Sequence, residues 1–389
     1  MEGNFSFCNP TRLHFGREAL EQLGGELQQY GRKVMLVYGG GSIKRNGVYD
    51  AVVREIRRAG KDIVEYAGVN PNPSIDKVRE AAALARAESV DLILAVGGGS
   101  TCDFCKAVAG SAWLEGQDPW TYYFNDWGEL NCRWIPVGCV LTLAGTGSEM
   151  DSCAVISNPS EKRKKFYYFR NPDFSILNPV YTFSVPKYQM VAGIYDIMSH
   201  ILEQYLSGND DNVSDYLAEG LMCSLVASSR KAIVDPEDYE ARSNIMWTAT
   251  WALNGLIACG KPTDWMVHML GQAVAAYTDA THGHTLSAVS GAYYRFLIDH
   301  SQEAVNKFAR LATRVWNVDE CGKEAKTVAL QGLEAMEAWM HELGLAMNIT
   351  ACGAKAEDIE NYADACPINE GGYVVLSRED VIRILRDSL

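Results

Sequence analysis

Positive charge is in short supply in this sequence. Its 35 Lys and Arg stand against 49 Asp and Glu, a formal net charge of −14. With no basic stripe to neutralise phosphates, a nucleic-acid partner is not expected. No apolar run reaches membrane-spanning length, so no membrane partner is expected either. The terminus Met1-Glu2-Gly3-Asn4-Phe5 lacks the basic stretch and apolar core of a signal peptide, which points to the cytoplasm. The 11 cysteines are odd in number and have no framework spacing. Cys102 and Cys105 form a C-x-x-C by count, but inside a turn-to-helix segment. Free thiols in a reducing compartment are the expected reading, with a redox pair or zinc ligand as the alternative. Histidine is scarce as well, at seven residues.

What is present is enough apolar sequence for two globular domains in 389 residues. The first half alternates strands and helices. A strand over residues 11–16 precedes a helix over 19–30. Lys33–Tyr38 is a nearly all-apolar run that ends in Gly39-Gly40-Gly41-Ser42-Ile43-Lys44. A helix over 48–58, a strand over 62–66, the rigid turn Asn70-Pro71-Asn72-Pro73 and a helix over 75–87 follow. The next strand, 91–96, feeds Gly97-Gly98-Gly99-Ser100-Thr101-Cys102-Asp103 and then Lys106. Strands apolar on both faces and joined by helices form a parallel sheet covered on both sides. Neither glycine turn is the usual G-x-G-x-x-G. Each nevertheless follows a strand directly and leads into a helix, where backbone N–H groups and the positive helix end can receive a phosphate. Asp103 and Lys106 could close such a site from the side.

A strand over 135–141 leads to Thr142-Leu143-Ala144-Gly145-Thr146-Gly147-Ser148-Glu149. This small, hydroxyl-rich loop permits close approach to a flat ring, or is an ordinary polar loop. A hairpin over 154–157 and 164–168 follows. Its Arg163 and Lys165 share one face and could reach a cofactor phosphate, or form a solvated charge run. Beyond Pro186 only helical periodicities remain, so the expected division is an α/β domain over 1–185 and an all-helical domain over 186–389.

The helical half holds the second signal. Asp196 and His200 are four apart and share one helix face. His268 and His282 would be about 21 Å apart on one straight helix, so a turn must fall between them, and residues 277–281 have turn composition. One carboxylate and three imidazoles suit zinc or ferrous iron better than magnesium or calcium. The other reading is scattered helix residues with satisfied hydrogen bonds and no metal.

These stretches resemble a known family. Gly-Gly-Gly-Ser-x-x-Asp-x-x-Lys at 97–106, Thr-Leu-Ala-Gly-Thr-Gly-Ser-Glu at 142–149, Asp-x-x-x-His at 196–200 and Asp-Trp-x-x-His…His-Gly at 264–283 are similar, in order, to the iron-containing (group III) alcohol dehydrogenases. The butanol dehydrogenases and NADPH-dependent aldehyde reductases are the branch most resembled. The resemblance implies a dehydroquinate synthase-like architecture, an α/β nucleotide-binding domain with a mostly parallel sheet followed by an all-α metal-binding domain. It also implies hydride transfer between a nicotinamide cofactor and a small alcohol or aldehyde, and a homodimer joined partly through residues 12–15. The metal ligands would be Asp196, His200, His268 and His282. Gly98, Gly99 and Ser100 would bind pyrophosphate, and Thr142, Thr146 and Ser148 would line the nicotinamide ribose and ring, with Leu143 a further cofactor contact. Gly39, Gly40, Gly41, Ser42, Lys44, Asn72, Asp103 and Lys165 complete the expected cofactor contacts.

NAD-preferring members carry an acidic residue where this chain has Gly39. With no carboxylate to repel a 2′-phosphate, and with Lys44 following, NADP(H) is the expected cofactor. Two departures stand out. The family's second histidine, thought to relay a proton near the nicotinamide, is Gln272 here, which cannot titrate near neutral pH. His284 and Tyr277 are candidate substitutes. The segment after His282 also lacks the family's usual Leu-Pro end. A polyol dehydrogenase or cofactor-using synthase of the same superfamily, or a non-catalytic NADP- or metal-binding relative, are the alternatives.

Overall fold

Strands made almost wholly of apolar residues decide the first half of the chain. Lys33–Tyr38 and Leu92–Gly97 are buried almost throughout, which a strand achieves only inside a sheet covered on both faces. The computed structural model describes residues 3–208 and 211–389. Met1 and Glu2, at the terminus expected to carry no signal peptide, lie outside the described residues. Two units are present, residues 8–185 and residues 186–389, the latter with residues 3–7.

The first unit is built on a six-stranded, fully parallel sheet in the order β1-β8-β5-β4-β2-β3. Its strands are β1 (Arg12–Phe15), β2 (Lys33–Tyr38), β3 (Asp62–Ala67), β4 (Leu92–Gly97), β5 (Val137–Leu141) and β8 (Phe174–Leu177). β6 (Cys153–Asn158) and β7 (Arg163–Tyr168) form a separate antiparallel hairpin. The helices are α1 (Leu23–Leu27), α2 (Ser42–Arg45), α3 (Val48–Arg58), α4 (Ile75–Ala87) and α5 (Gly99–Ser111). Because β5, β4 and β2 are parallel neighbours, the loops after Leu141, Gly97 and Tyr38 leave the same sheet edge. That is the edge where open α/β sheets bind ligands. The loops are tied there by Thr142 N–H to Gly97 O at 2.8 Å and Val69 N–H to Tyr38 O at 3.2 Å.

Two expectations change in this unit. The helix expected over 19–30 is a 3₁₀ turn, Ala19–Gln22, running into the short α1, and its end at Gln29 and Tyr30 closes with i→i−3 bonds. β8 is not picked out by the sequence pattern. Its four residues are all buried because it lies between β1 and β5.

The second unit is helical: α6 (Lys187–Tyr205), α7 (Val213–Val234), α8 (Tyr239–Leu253), α9 (Met266–Thr278), α10 (His282–His300), α11 (Gln302–Arg314), α12 (Ala325–Leu343), α13 (Ile359–Ala365) and α14 (Arg378–Asp387). α6 is buried on every face from Met190 to Tyr205, as expected of the central helix of a bundle. Among the described residues, no helix is long and apolar enough to cross a membrane.

Candidate metal centre

Local backbone geometry brings the scattered histidines together. Asp196, His200 and Glu203 lie at i, i+4 and i+7 on α6 and share one stripe. α9 starts from Trp265, held at φ 63°, a left-handed conformation uncommon for a bulky residue. Its flank is pinned. Asp264 is fully buried, its N–H donates to Glu203 O at 2.9 Å, and its Oδ2 accepts the Tyr293 hydroxyl at 2.7 Å. A Cβ on Gly372 would come within 2.7 Å of Asp264 Oδ1, so only glycine lets that segment close over the turn. α9 ends at Thr278 with Asp279 left-handed at φ 53°, and α10 opens at His282. This is the turn that the separation of His268 from His282 demands. Immediately after it, the position of a Cβ on Gly283 falls 1.9 Å from Ala192 O, which seats the start of α10 against α6.

The result is a convergence on one atom. Asp196 Oδ1 lies 3.5 Å from His200 Nε2, 3.5 Å from His268 Nε2 and 3.6 Å from His282 Nε2. Asp196, His268 and His282 each offer a ligand atom, all within 4.8 Å of one another. Asp196 Oδ1 and His268 Nε2 are buried and make no hydrogen bond. Buried polar atoms left in this state are costly, and a divalent cation among them would satisfy both. A carboxylate with imidazole nitrogens is also the donor set zinc and ferrous iron accept. The residues therefore fit a bound divalent metal.

Neighbouring charges and burial set the protonation of these groups. Burial alone would raise the Asp196 carboxyl, but the facing His200, His282 and His268 hold it below the usual carboxylate range. Burial pushes His200 down to about 4, which keeps its imidazole neutral. Burial acts the same way on His268, yet the Glu203 and Asp196 carboxylates push it up to about 9. A cation at Asp196 would compete directly with that proton.

Residues 10–179 match the family model described as iron-containing alcohol dehydrogenase, and residues 190–389 match that of the Fe-containing alcohol dehydrogenase family, C-terminal. The chain belongs to the iron-containing alcohol dehydrogenase family. It is 38% identical over 393 residues to the probable NADH-dependent butanol dehydrogenase 1 of Bacillus subtilis, covering 99% of this chain and 100% of the relative. It is 36% identical over 360 residues to the NADPH-dependent aldehyde reductase YqhD of Escherichia coli, covering 92% and 91%. The crystal structure of NADH-dependent butanol dehydrogenase A from Thermotoga maritima superposes with a TM-score of 0.93 at 36% identity, covering 99% of this chain and 98% of that one.

In this member of the family, the loops expected to hold cofactor sit at the edge described above. Gly98 caps α5, and a Cβ there would meet Leu143 at 3.1 Å; one on Gly99 would fall 2.0 Å from Thr146 Oγ1. Gly99 thus lets the 97–99 turn pack against the 142–148 loop, with Gly98 touching Leu143. Ser100 Oγ donates to Pro71 O, and Asn72 Oδ1 accepts from Lys164 Nζ at 3.1 Å. Gly39 lies close to Val69 O, Gly40 has open space, and Gly41 takes φ 89° before Ser42 opens α2.

Several expected contacts are engaged elsewhere. Lys106 is fully buried, with its Nζ 2.7 Å from both Asp151 Oδ1 and Cys153 O, so it does not close a site from the side. Asp103 accepts from Ser148 Oγ at 2.5 Å and from Val155 N–H at 2.9 Å, which makes it a brace for the 148 loop. Lys165 Nζ donates to Asn125 Oδ1 at 2.6 Å beside the Trp120 ring. Lys44 pairs with Glu65. His284 is no free proton donor: Nδ1 accepts from Ala346 N–H at 3.2 Å, Nε2 faces Tyr188 O at 3.2 Å, and the ring stacks on Tyr188. Tyr277 packs edge-on against Tyr362. Gln272 is buried one turn after His268 on α9. Glu203, Asp264 and Tyr293 escaped the sequence reading as supports of the centre. The spacing of Glu203 from Asp196 and His200 is the one signal that could have found it.

Proposed function

We propose that this chain interconverts primary alcohols and aldehydes of butanol and butanal type by hydride transfer with a nicotinamide cofactor. Asp196, His200, His268 and His282 would together hold one divalent ion, Fe²⁺ or Zn²⁺. The convergence of the histidine Nε2 atoms on Asp196 Oδ1 at 3.5–3.6 Å carries this reading. When bound there, the ion supplies Lewis-acid chemistry at the substrate oxygen. The chain's own residues do the rest. Asp196 supplies the negative charge of the ligand set, and His200 and His268 keep that charge in a nearly dry environment. The first-turn N–H groups of α5, at Gly99 and Ser100, lack intrahelical partners and suit the pyrophosphate. Thr142, Leu143, Thr146 and Ser148 would shape the nicotinamide side of the loop. Gln272 can hydrogen-bond but cannot carry a titrating proton near neutrality.

NADP(H) is the proposed preference, supported by Gly39 at the end of β2, where no carboxylate is available to repel a 2′-phosphate. Lys44 would have to leave Glu65 to contribute. A cytoplasmic homodimer completes the reading, supported by 11 free cysteines and by the edge strand β1 with Phe15 exposed.

The test is oxidation of NADPH by butanal with chelator-stripped protein, then after anaerobic addition of Fe²⁺ or Zn²⁺. Activity that returns only with metal is the expected result. Full activity in the stripped protein, or none with either ion despite stoichiometric binding, would count against it.

A further inference from the structure

Behind the candidate ligands lies a carboxylate that no solvent reaches. Glu203 is fully buried on α6, one turn beyond His200. Its Oε1 lies 2.5 Å from His268 Nδ1 and accepts the Ser199 hydroxyl at 2.6 Å. Its Oε2 accepts the His268 backbone N–H at 3.0 Å, and its carbonyl accepts Asp264 N–H at 2.9 Å. A buried carboxylate needs several donors to be tolerated, and here they come from both helices that carry the centre. In the neutral imidazole, Nδ1–H donating to Glu203 leaves the His268 lone pair on Nε2, the atom that faces Asp196 Oδ1 at 3.5 Å.

We infer that Glu203 is a positioning residue for the metal centre: it fixes the His268 tautomer and ring orientation and so sets the affinity for the divalent ion. The inference rests on the metal reading proposed above. Outer carboxylates of this kind are worth roughly 10–100-fold in metal affinity. Ser199 is the control, because Ser199→Ala removes a donor from the same carboxylate and leaves both His268 contacts in place.

Metal-free wild type, Glu203→Gln, Glu203→Ala and Ser199→Ala would be titrated with Zn²⁺ against a chromophoric chelator, and with Co²⁺ while its visible ligand-field spectrum is recorded. Thermal unfolding of each metal-free protein checks folding. Glu203→Gln should weaken binding by about tenfold and Glu203→Ala by up to about a hundredfold. Both should alter the Co²⁺ spectrum, while Ser199→Ala, which keeps both His268 contacts, should lose less affinity than Glu203→Gln. The isosteric Glu203→Gln decides alone if Glu203→Ala does not fold. Wild-type affinity and spectrum in Glu203→Gln would overturn the inference and leave the metal centre standing. So would an equal loss in Ser199→Ala, which would mean general loosening. A wild type that binds neither ion would overturn both.

Discussion

Lys44 Nζ lies 3.0 Å from Glu65 Oε1, between the rings of Tyr38 and Tyr49 at 4.9 and 4.5 Å. Tyr49 donates to the other oxygen of Glu65 at 3.0 Å, and Tyr38 donates to Oε1. From sequence, Lys44 is a cation waiting for a 2′-phosphate. In the fold it already has a counter-ion on the neighbouring strand, so a phosphate must compete with Glu65. Glu65→Gln should therefore raise the NADPH-to-NADH ratio of kcat/KM by about two- to fivefold, the scale of releasing an exposed ion pair. Lys44→Gln should lower the ratio, and Gly39→Asp should turn preference toward NADH. Steady-state rates with both cofactors check this. Equal wild-type efficiencies would end the NADP(H) reading, and an unmoved ratio in Glu65→Gln would end the competition argument alone.

Gly99 and Gly98 are adjacent but not equivalent. A methyl group on Gly99 falls 2.0 Å from Thr146 Oγ1, the atom that accepts Ser148 N–H at 3.1 Å. One on Gly98 meets Leu143 at 3.1 Å. Gly99→Ala must displace the 146–148 loop, at a cost of about 1–3 kcal/mol for overpacking. It should raise KM for the nicotinamide cofactor by roughly tenfold, about 1.4 kcal/mol of binding. Gly98→Ala should do less on both counts. Denaturant midpoints and cofactor titrations compare them, and a reversed order would contradict the packing described.

Acid stability should depend on Glu26. Its buried carboxylate accepts from Arg12 Nε at 3.0 Å and Nη2 at 2.7 Å, and lies 2.8 Å from His14 Nε2. Bonding to Arg12, opposed by burial and aided by His14, holds it below its ordinary value of 4.5. A lowered carboxyl binds fewer protons folded than unfolded. Its stabilisation is therefore complete above about pH 4.5 and lost as pH falls through the folded-state value. Wild type should melt above Glu26→Gln from pH 5 upward, by roughly 2–4 °C per kcal/mol in a domain of this size, and the two curves should converge in acid. Parallel curves down to pH 3 would show that Glu26 contributes nothing through its charge.

How much was legible beforehand follows from where each partner lies. β2 and β4 announce themselves because doubly covered strands are apolar almost throughout. The candidate ligands stand out because histidine is scarce and Asp196 and His200 have helical spacing. Other features were hidden by distance along the chain. Lys106 reads as a side chain able to close a phosphate site from the side, but its partners Asp151 and Cys153 lie 45 and 47 residues away. Glu203 is 65 residues from His268. β8 is only four residues long and owes its identity to the strands on either side.

Gln272 offers a gain-of-function test. It is buried on α9 one turn from His268, where an imidazole would share the same helix face. Reduction of an aldehyde requires a proton for the oxygen that leaves as alcohol, and glutamine has none to give near neutrality. Gln272→His would place a group there whose ordinary pKa is about 6.5, drawn lower by burial. Only its protonated form can donate. The variant should therefore reduce butanal faster than wild type below about pH 6.5 and at the wild-type rate above about pH 8. Rate–pH profiles of kcat, with metal content matched between the two proteins, measure this directly. Superimposable profiles would mean that this helix position does not carry the proton, whatever residue occupies it.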